Sequence, residues 1–213
     1  AVQAMLVGTE QTMNTAVTKV IADFPTAAVP YEMKAELLYK QGQKNPAIAY
    51  LQKTQSLWPQ WIKPFFTEAQ IRSETQDYSN AVRILKNILN SQPEHHKSKV
   101  EMGIVEVSHF SNKRGLDFIQ VGLKNEKIPS PLRVRGYFAL ANFYLNSDKQ
   151  LALEYAQKAY SLDPKNMALR DTILSLGGES ALGEVRSQDT QLMVVGDNFF
   201  RNKNYLAAQA EYK

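Results

Sequence analysis

Residues 28–61 read AVPYEMKAELLYKQGQKNPAIAYLQKTQSLWPQW, and residues 62–95 read IKPFFTEAQIRSETQDYSNAVRILKNILNSQPEH. Laid over one another, the two segments place Ala35 on Ala69, Ala47 on Ala81, Leu51 on Leu85 and Pro59 on Pro93. The next 34 residues keep three of these columns with Gly103, Gly115 and Ile119, and Pro25 lies 34 residues before Pro59. Four columns in one register, at a period between about 20 and 50 residues, are the mark of a stacked-repeat fold. Each column has a physical reason. Ala or Gly lets two helices approach closely, large aliphatic residues fill the gaps beside them, and proline stops a helix and sets the next turn.

The pattern resembles the tetratricopeptide repeat (TPR) family, in which helix A carries an early aromatic and a Leu-Gly/Ala pair, and helix B carries small residues and a closing proline. Residues 134–166 match best, with Tyr137, Leu140, Ala141, Tyr144, Ala152, Ala156, Ala159 and Asp163-Pro164. The unit 28–61 adds Tyr31 and Leu38, with Asn45-Pro46 read as an N-cap and first helical position. The unit 62–95 adds Phe65 and Ile88. The unit 96–129 is weaker, because Lys127 stands where proline is expected, and residues 130–133 read as a short insertion. The resemblance implies an all-α, right-handed superhelical solenoid of antiparallel helix hairpins.

The expected organisation is a TPR-like array over 1–166, comprising a partial unit 1–27 and units 28–61, 62–95, 96–129 and 134–166. An irregular helical connector follows at 167–188, and the start of a further unit at 189–213 (Gly196, Phe199, Tyr205, Ala208, Tyr212). In the first segment a helix B is expected near 11–23; in the connector, Gly177-Gly178 is expected to end a helix. Both ends read as cut from a longer array.

The 213 residues carry 44% hydrophobic and 22% charged side chains, as in an ordinary folded protein. The absence of cysteine excludes disulfides and zinc–cysteine sites. It favours an exported or periplasmic location over the cytoplasm, although no signal peptide is visible. The net charge of +4 is spread along the chain, which argues against a nucleic-acid partner. No segment has the length and apolarity of a membrane span.

No catalytic, cofactor or metal motif emerges. His95, His96 and His109 lack further ligands at helical spacing, and the adjacent pair reads as solvated turn residues. Gly177-Gly178 lacks the lysine and hydroxyl of a phosphate loop. Trp58, Trp61, Phe65 and Phe66 read as packing between hairpins. The expectation is a non-catalytic protein-interaction scaffold within a bacterial multiprotein assembly serving the envelope, secretion, motility or polysaccharide export. The alternatives are a regulatory segment of a larger enzyme and an RNA-binding helical repeat.

By the same resemblance the A helices line a concave groove. Its candidate partner-binding residues are Lys63, Phe66, Gln70, Lys97, Val100, Ile104, Val107, Arg135, Phe138, Asn142 and Leu145, with Glu32, Glu36 and Tyr39 in the first unit. Lys63, Lys97 and Arg135 share one repeat position and predict a basic ladder for an acidic or carboxylate-bearing peptide. Val100, Ile104, Val107, Phe138 and Leu145 predict an apolar strip beside it. The carboxylate clamp that some TPR proteins use is not expected, because Glu32, Glu36 and Thr67 stand in place of its Lys and Asn residues.

Overall fold

A computed structural model describes residues 2–177, with side chains from residue 11 onward. The expectations for residues 178–213, including the truncated unit at 189–213, lie outside the described residues. The described chain is helical and without strands, and it divides into two compact units, Ala1–Glu126 and Lys127–Lys213.

The first unit contains α1 (Val2–Asp23), α2 (Ala28–Lys40), α3 (Lys44–Leu57), α4 (Ile62–Glu74), α5 (Tyr78–Ser91), α6 (His96–Phe110) and α7 (Arg114–Leu123). Consecutive helices pack in series, as hairpins α2–α3, α4–α5 and α6–α7, each leaning on its predecessor. The repeat columns are its core: Ala35, Ala47, Leu51, Ala69, Ala81, Leu85 and Ile119 are all buried. Helix α1 is longer than the stretch expected at 11–23. The second unit begins with α8 (Ser130–Tyr144) and α9 (Lys149–Leu162), followed by helical residues 167–177. Leu169 and Ile173 from that stretch join Val134, Ala141, Ala156, Ala159 and Tyr160 in one hydrophobic cluster.

Proline ends the B helices by acting on the residue before it. Trp58, Gln92 and Asp163 precede Pro59, Pro93 and Pro164, and have φ/ψ of −141°/78°, −134°/80° and −145°/76°. A helical residue there would drive its N–H and Cβ into the proline ring. Residues 130–133, expected as a short insertion, form the first turn of α8, where Pro131 costs no hydrogen bond. One local expectation is corrected. Asn45 is not the cap of α3, which starts at Lys44 after Gln43, so Pro46 lies within the first turn, where amides have no intrahelical partner.

The hairpin α6–α7 closes more tightly than its alanine-bearing neighbours. A Cβ on Gly103 would stand 2.5 Å from Gly115 O and 2.6 Å from Ile119 Cγ1; one on Gly115 would stand 2.7 Å from Gly103 O. Only glycine allows this backbone-to-backbone approach. Between α4 and the preceding hairpin, buried Glu68 accepts from Gln52 Nε2 (3.0 Å), Gln55 Nε2 (2.6 Å) and Arg72 Nε (2.7 Å). Arg72 Nη1 reaches on to Asp77 at 2.5 Å, tying α4 to the turn that starts α5. A buried carboxylate is tolerated where it is paired and hydrogen-bonded in this way.

Candidate functional site

Helices α2 and α4 adjoin, and two polar bridges show it. Near one end, Lys63 Nζ of α4 lies 2.6 Å from Glu32 Oε1 and 2.7 Å from Glu36 Oε1 of α2. Near the other, the Tyr39 hydroxyl donates to Glu74 Oε1 at 2.5 Å, and Lys44 Nζ lies 3.1 Å from Glu74 Oε2. Positions 32, 36 and 39 of α2 lie on one stripe at i, i+4 and i+7, as do 63, 66/67, 70 and 74 of α4.

The first bridge is an unequal trio. Glu32 is buried while Glu36 is half exposed. Burial pushes the Glu32 carboxyl above its ordinary value, more strongly than the Lys63 hydrogen bond pulls it down. At Glu36 burial acts the same way, but the hydrogen bonds from Lys63 and Glu32 outweigh it and leave the carboxyl low. Burial would lower Lys63; its two carboxylate partners prevail and raise it.

This geometry changes the reading of the sequence candidates. Lys63 is exposed but already engaged by two glutamates, so it is not an open cation for a ligand. Lys97 is exposed on α6, and Gln70 is half-buried on α4. Arg135 is half-buried, not free of partners, and sits in the second unit. Phe66, Val100, Ile104 and Val107 are buried, which removes them from any open surface. The reason for two of them lies in α7: Val107 Cγ2 and Val100 Cγ2 occupy the space left by the absent side chains of Gly115 and Gly122. Their apolar character serves the closing of the hairpin. In the second unit, Phe138 packs on the cluster around Leu169 and Ile173, Leu145 is half-buried, and Asn142 is exposed.

The apolar surface of the α2 side comes instead from Val29 and Met33, 48% and 40% exposed, which the sequence reading passed over. Their signal was available, since they stand four residues apart on the helix that carries Glu32 and Glu36. The aromatic cluster divides: Phe66 is buried, Phe65 and Trp61 are half-buried, and Trp58 is 47% exposed with its ring 5.3 Å from that of Trp61. Neither His95 nor His96 is a freely solvated turn residue. Both are half-buried, and His95 caps α6. Among the described residues, no three His, Asp or Glu side chains are placed to hold a metal ion, and no helix is long and apolar enough to cross a membrane.

No family model and no curated protein matches the sequence. Solved structures do match. MamA (residue 41 to the end) from Desulfovibrio magneticus RS-1 superposes with a TM-score of 0.55 at 18% identity, over 87% of this chain and 90% of that one. TTC0263, a TPR protein of Thermus thermophilus, gives 0.58 at 19% identity, over 82% and 94%. YrrB, a TPR protein with an unusual peptide-binding site, gives 0.54 at 18% identity, over 92% and 88%. The chain is a TPR-like repeat protein. At these identities the likeness concerns the fold, the helical-hairpin solenoid that the 34-residue columns and the buried core describe.

Proposed function

We propose that this TPR-like chain is a non-catalytic protein-interaction module that takes a peptide or helix of a partner along the inner face of α2, α4 and the N-terminal end of α6. The observation that carries the reading is the pair of bridges, Lys63 to Glu32 and Glu36, and Tyr39 to Glu74. They hold two A helices side by side, with Val29 and Met33 exposed on the helix that carries Glu36, Gln70 half-buried on α4 and Lys97 exposed at the start of α6. Exposed apolar groups beside charged ones suit an amphipathic ligand. The peptide-binding site of YrrB, on the same fold, supports a peptide as the ligand class. Lys97 is the cation proposed to meet an acidic group of the ligand, since Lys63 is internally neutralised. The setting proposed is a bacterial multiprotein assembly, in line with the bacterial source of two of the similar structures.

Photo-crosslinking residues placed at Met33 and Gln70 test this against one placed at Lys86, exposed on the B helix α5. The expected outcome is one partner crosslinked from 33 and 70 and not from 86, with the yield reduced by Lys97→Glu. Crosslinking from 86 alone would overturn the inner-face reading, and an unchanged yield in Lys97→Glu would remove the acidic ligand.

A further inference from the structure

Helix α6 starts at His96, and the Ser98 amide in its first turn is shared between the carbonyl oxygen of His95, at 3.0 Å, and the His95 side chain. His95 Nδ1 accepts the backbone N–H of Ser98 at 3.3 Å and lies 2.8 Å from Ser98 Oγ, whose residue is fully buried. An amide only donates, so Nδ1 must present its lone pair, which places the proton of the neutral ring on Nε2. The ring meets Phe66 of α4 edge-on, with centroids 5.6 Å apart and an interplanar angle of 65°. His95 thus joins the first turn of α6 to a buried side chain of the neighbouring A helix.

The surroundings oppose a charge on this ring. Burial is the larger cause, with repulsion from Lys97 and His96 next, and together they hold its pKa below 6.5. The neighbouring elements carry other charges: Lys63, Glu68, Arg72 and Glu74 on α4, Arg83 and Lys86 on α5, and Arg114 and Asp117 on α7, with Glu74 paired to Lys44. Lys63 is engaged with Glu32 and Glu36, and Arg72 with Glu68 and Asp77. The nearby carboxylate, Glu94, turns to Lys99 at 3.2 Å and lies 3.9 Å from His96 Nε2. The charges that act on His95 are therefore cationic. The positive end of the α6 dipole adds to them.

We propose that His95 is a pH-sensitive cap of α6. Protonation turns Nδ1 from an acceptor into a donor, withdraws the cap from Ser98, and sets a cation at the positive end of the helix. The first turn of α6 and its contact with Phe66 then loosen. The sign follows from the lowered pKa. Above 6.5 the ring is neutral whether the chain is folded or not, and the cap contributes fully. As the pH falls from 6.5 through the folded-state value, the unfolded chain takes the proton first and the contribution is lost.

The test uses the full 213-residue chain. Nuclear magnetic resonance titration of the three imidazoles should show His95 titrating below 6.5, with the Ser98 amide shifting at the same midpoint. In thermal melts at about pH 7.5 and about pH 5.5, His95→Asn, a cap that cannot titrate, should melt close to wild type at the higher pH and several degrees above it at the lower. His95→Ala should melt below wild type at the higher pH. A His95 midpoint at or above 6.5, or the same pH dependence in His95→Asn as in wild type, would falsify the proposal. His109, at the other end of α6, contributes alike to all variants, and the midpoint of His96, which repels a charged His95, is read from the same titration in each variant.

Discussion

Lys63 on α4 and Glu32 on α2, 31 positions apart in the chain, meet at 2.6 Å, and the glutamate is buried while the lysine is exposed. The pair therefore matters mainly to the carboxylate, which has few other ways to be solvated. Lys63→Met keeps the packing of the stem and removes the charge, leaving Glu32 and Glu36 to repel one another. Loss of a charged hydrogen bond of this kind costs about 1–2 kcal/mol once the lysine's exposure is allowed for. Urea denaturation of the variant should show a lower midpoint at an unchanged slope. The double variant Lys63→Met/Glu32→Gln should recover part of the loss; no recovery would mean that Glu32 is not the group left stranded.

The alkaline limb follows from the same trio. Lys63 has a raised pKa, so its contribution is complete below 10.5 and disappears as the pH rises through the folded-state value. Wild type should lose stability above pH 10.5 more steeply than Lys63→Met, measured as the difference between their denaturation midpoints. Parallel curves would count against the bridge as the source.

Asp77 governs part of the acid limb. Burial acts to raise its carboxyl, but the bonds from Asn80 and Arg72 outweigh it and hold it below 3.8. The contribution is present above 3.8 and is lost as the pH falls through the depressed folded-state value. Asp77→Asn should flatten the fall in melting temperature over that window, and a fall as steep as wild type would show that Asp77 does not contribute to it.

Gly103 and Gly115 face one another across α6 and α7, each so near the other's carbonyl that a methyl would enter backbone. The columns they occupy hold alanine in the two preceding hairpins, so Gly→Ala looks harmless by alignment of the repeats. The structure predicts otherwise. Forcing the helices apart costs about 1–3 kcal/mol, set against a gain of up to about 1 kcal/mol in helix propensity. Gly103→Ala and Gly115→Ala should both lower the urea midpoint, whereas a rise would mean that the hairpin adjusts freely.

Two A-to-B turns hold a left-handed residue at the same repeat position and fill it with different residue types. Gly42 has φ 76° and Gln76, 34 positions later, has φ 64°. A side chain there costs about 1–2 kcal/mol in backbone strain, while glycine forfeits about 0.4–1 kcal/mol through the freedom of the unfolded chain. Gly42→Ala should therefore destabilise by about 1 kcal/mol, and Gln76→Gly should stabilise by less than that. Calorimetric melting temperatures moving in opposite directions for the two variants are the expected reading.

How far the fold was legible depends on the distance over which each feature is decided. Hairpins are local: the Ala and Gly columns, the aliphatic fillers and the prolines all act within about one repeat, so periodicity exposes them. That residues 130–133 form a helical turn was not legible, because helix starts have weak signals and Pro131 fits a loop or a first helical turn alike. The binding face was less legible. Val100 and Val107 have the spacing of an exposed apolar strip, and only the presence of glycine on the facing helix shows that they fill a hairpin. Lys63 and Lys97 look equivalent in a repeat alignment, yet Glu32 and Glu36 stand opposite Lys63 on the preceding A helix, while the corresponding positions opposite Lys97 are Phe66 and Gln70.

The sequence by itself determined the 34-residue hairpin, its core columns and the lack of thiol chemistry, since these rest on residue type and short-range spacing. Tertiary structure decided which side chains remain open. Neutralisation of Lys63, burial of Val100, Ile104 and Val107, and the capping role of His95 all depend on what a neighbouring helix, or the turn entering it, brings within a few ångströms. Electrostatic screening, desolvation and packing act at that range, so identical repeat positions acquire different chemistry from their neighbours.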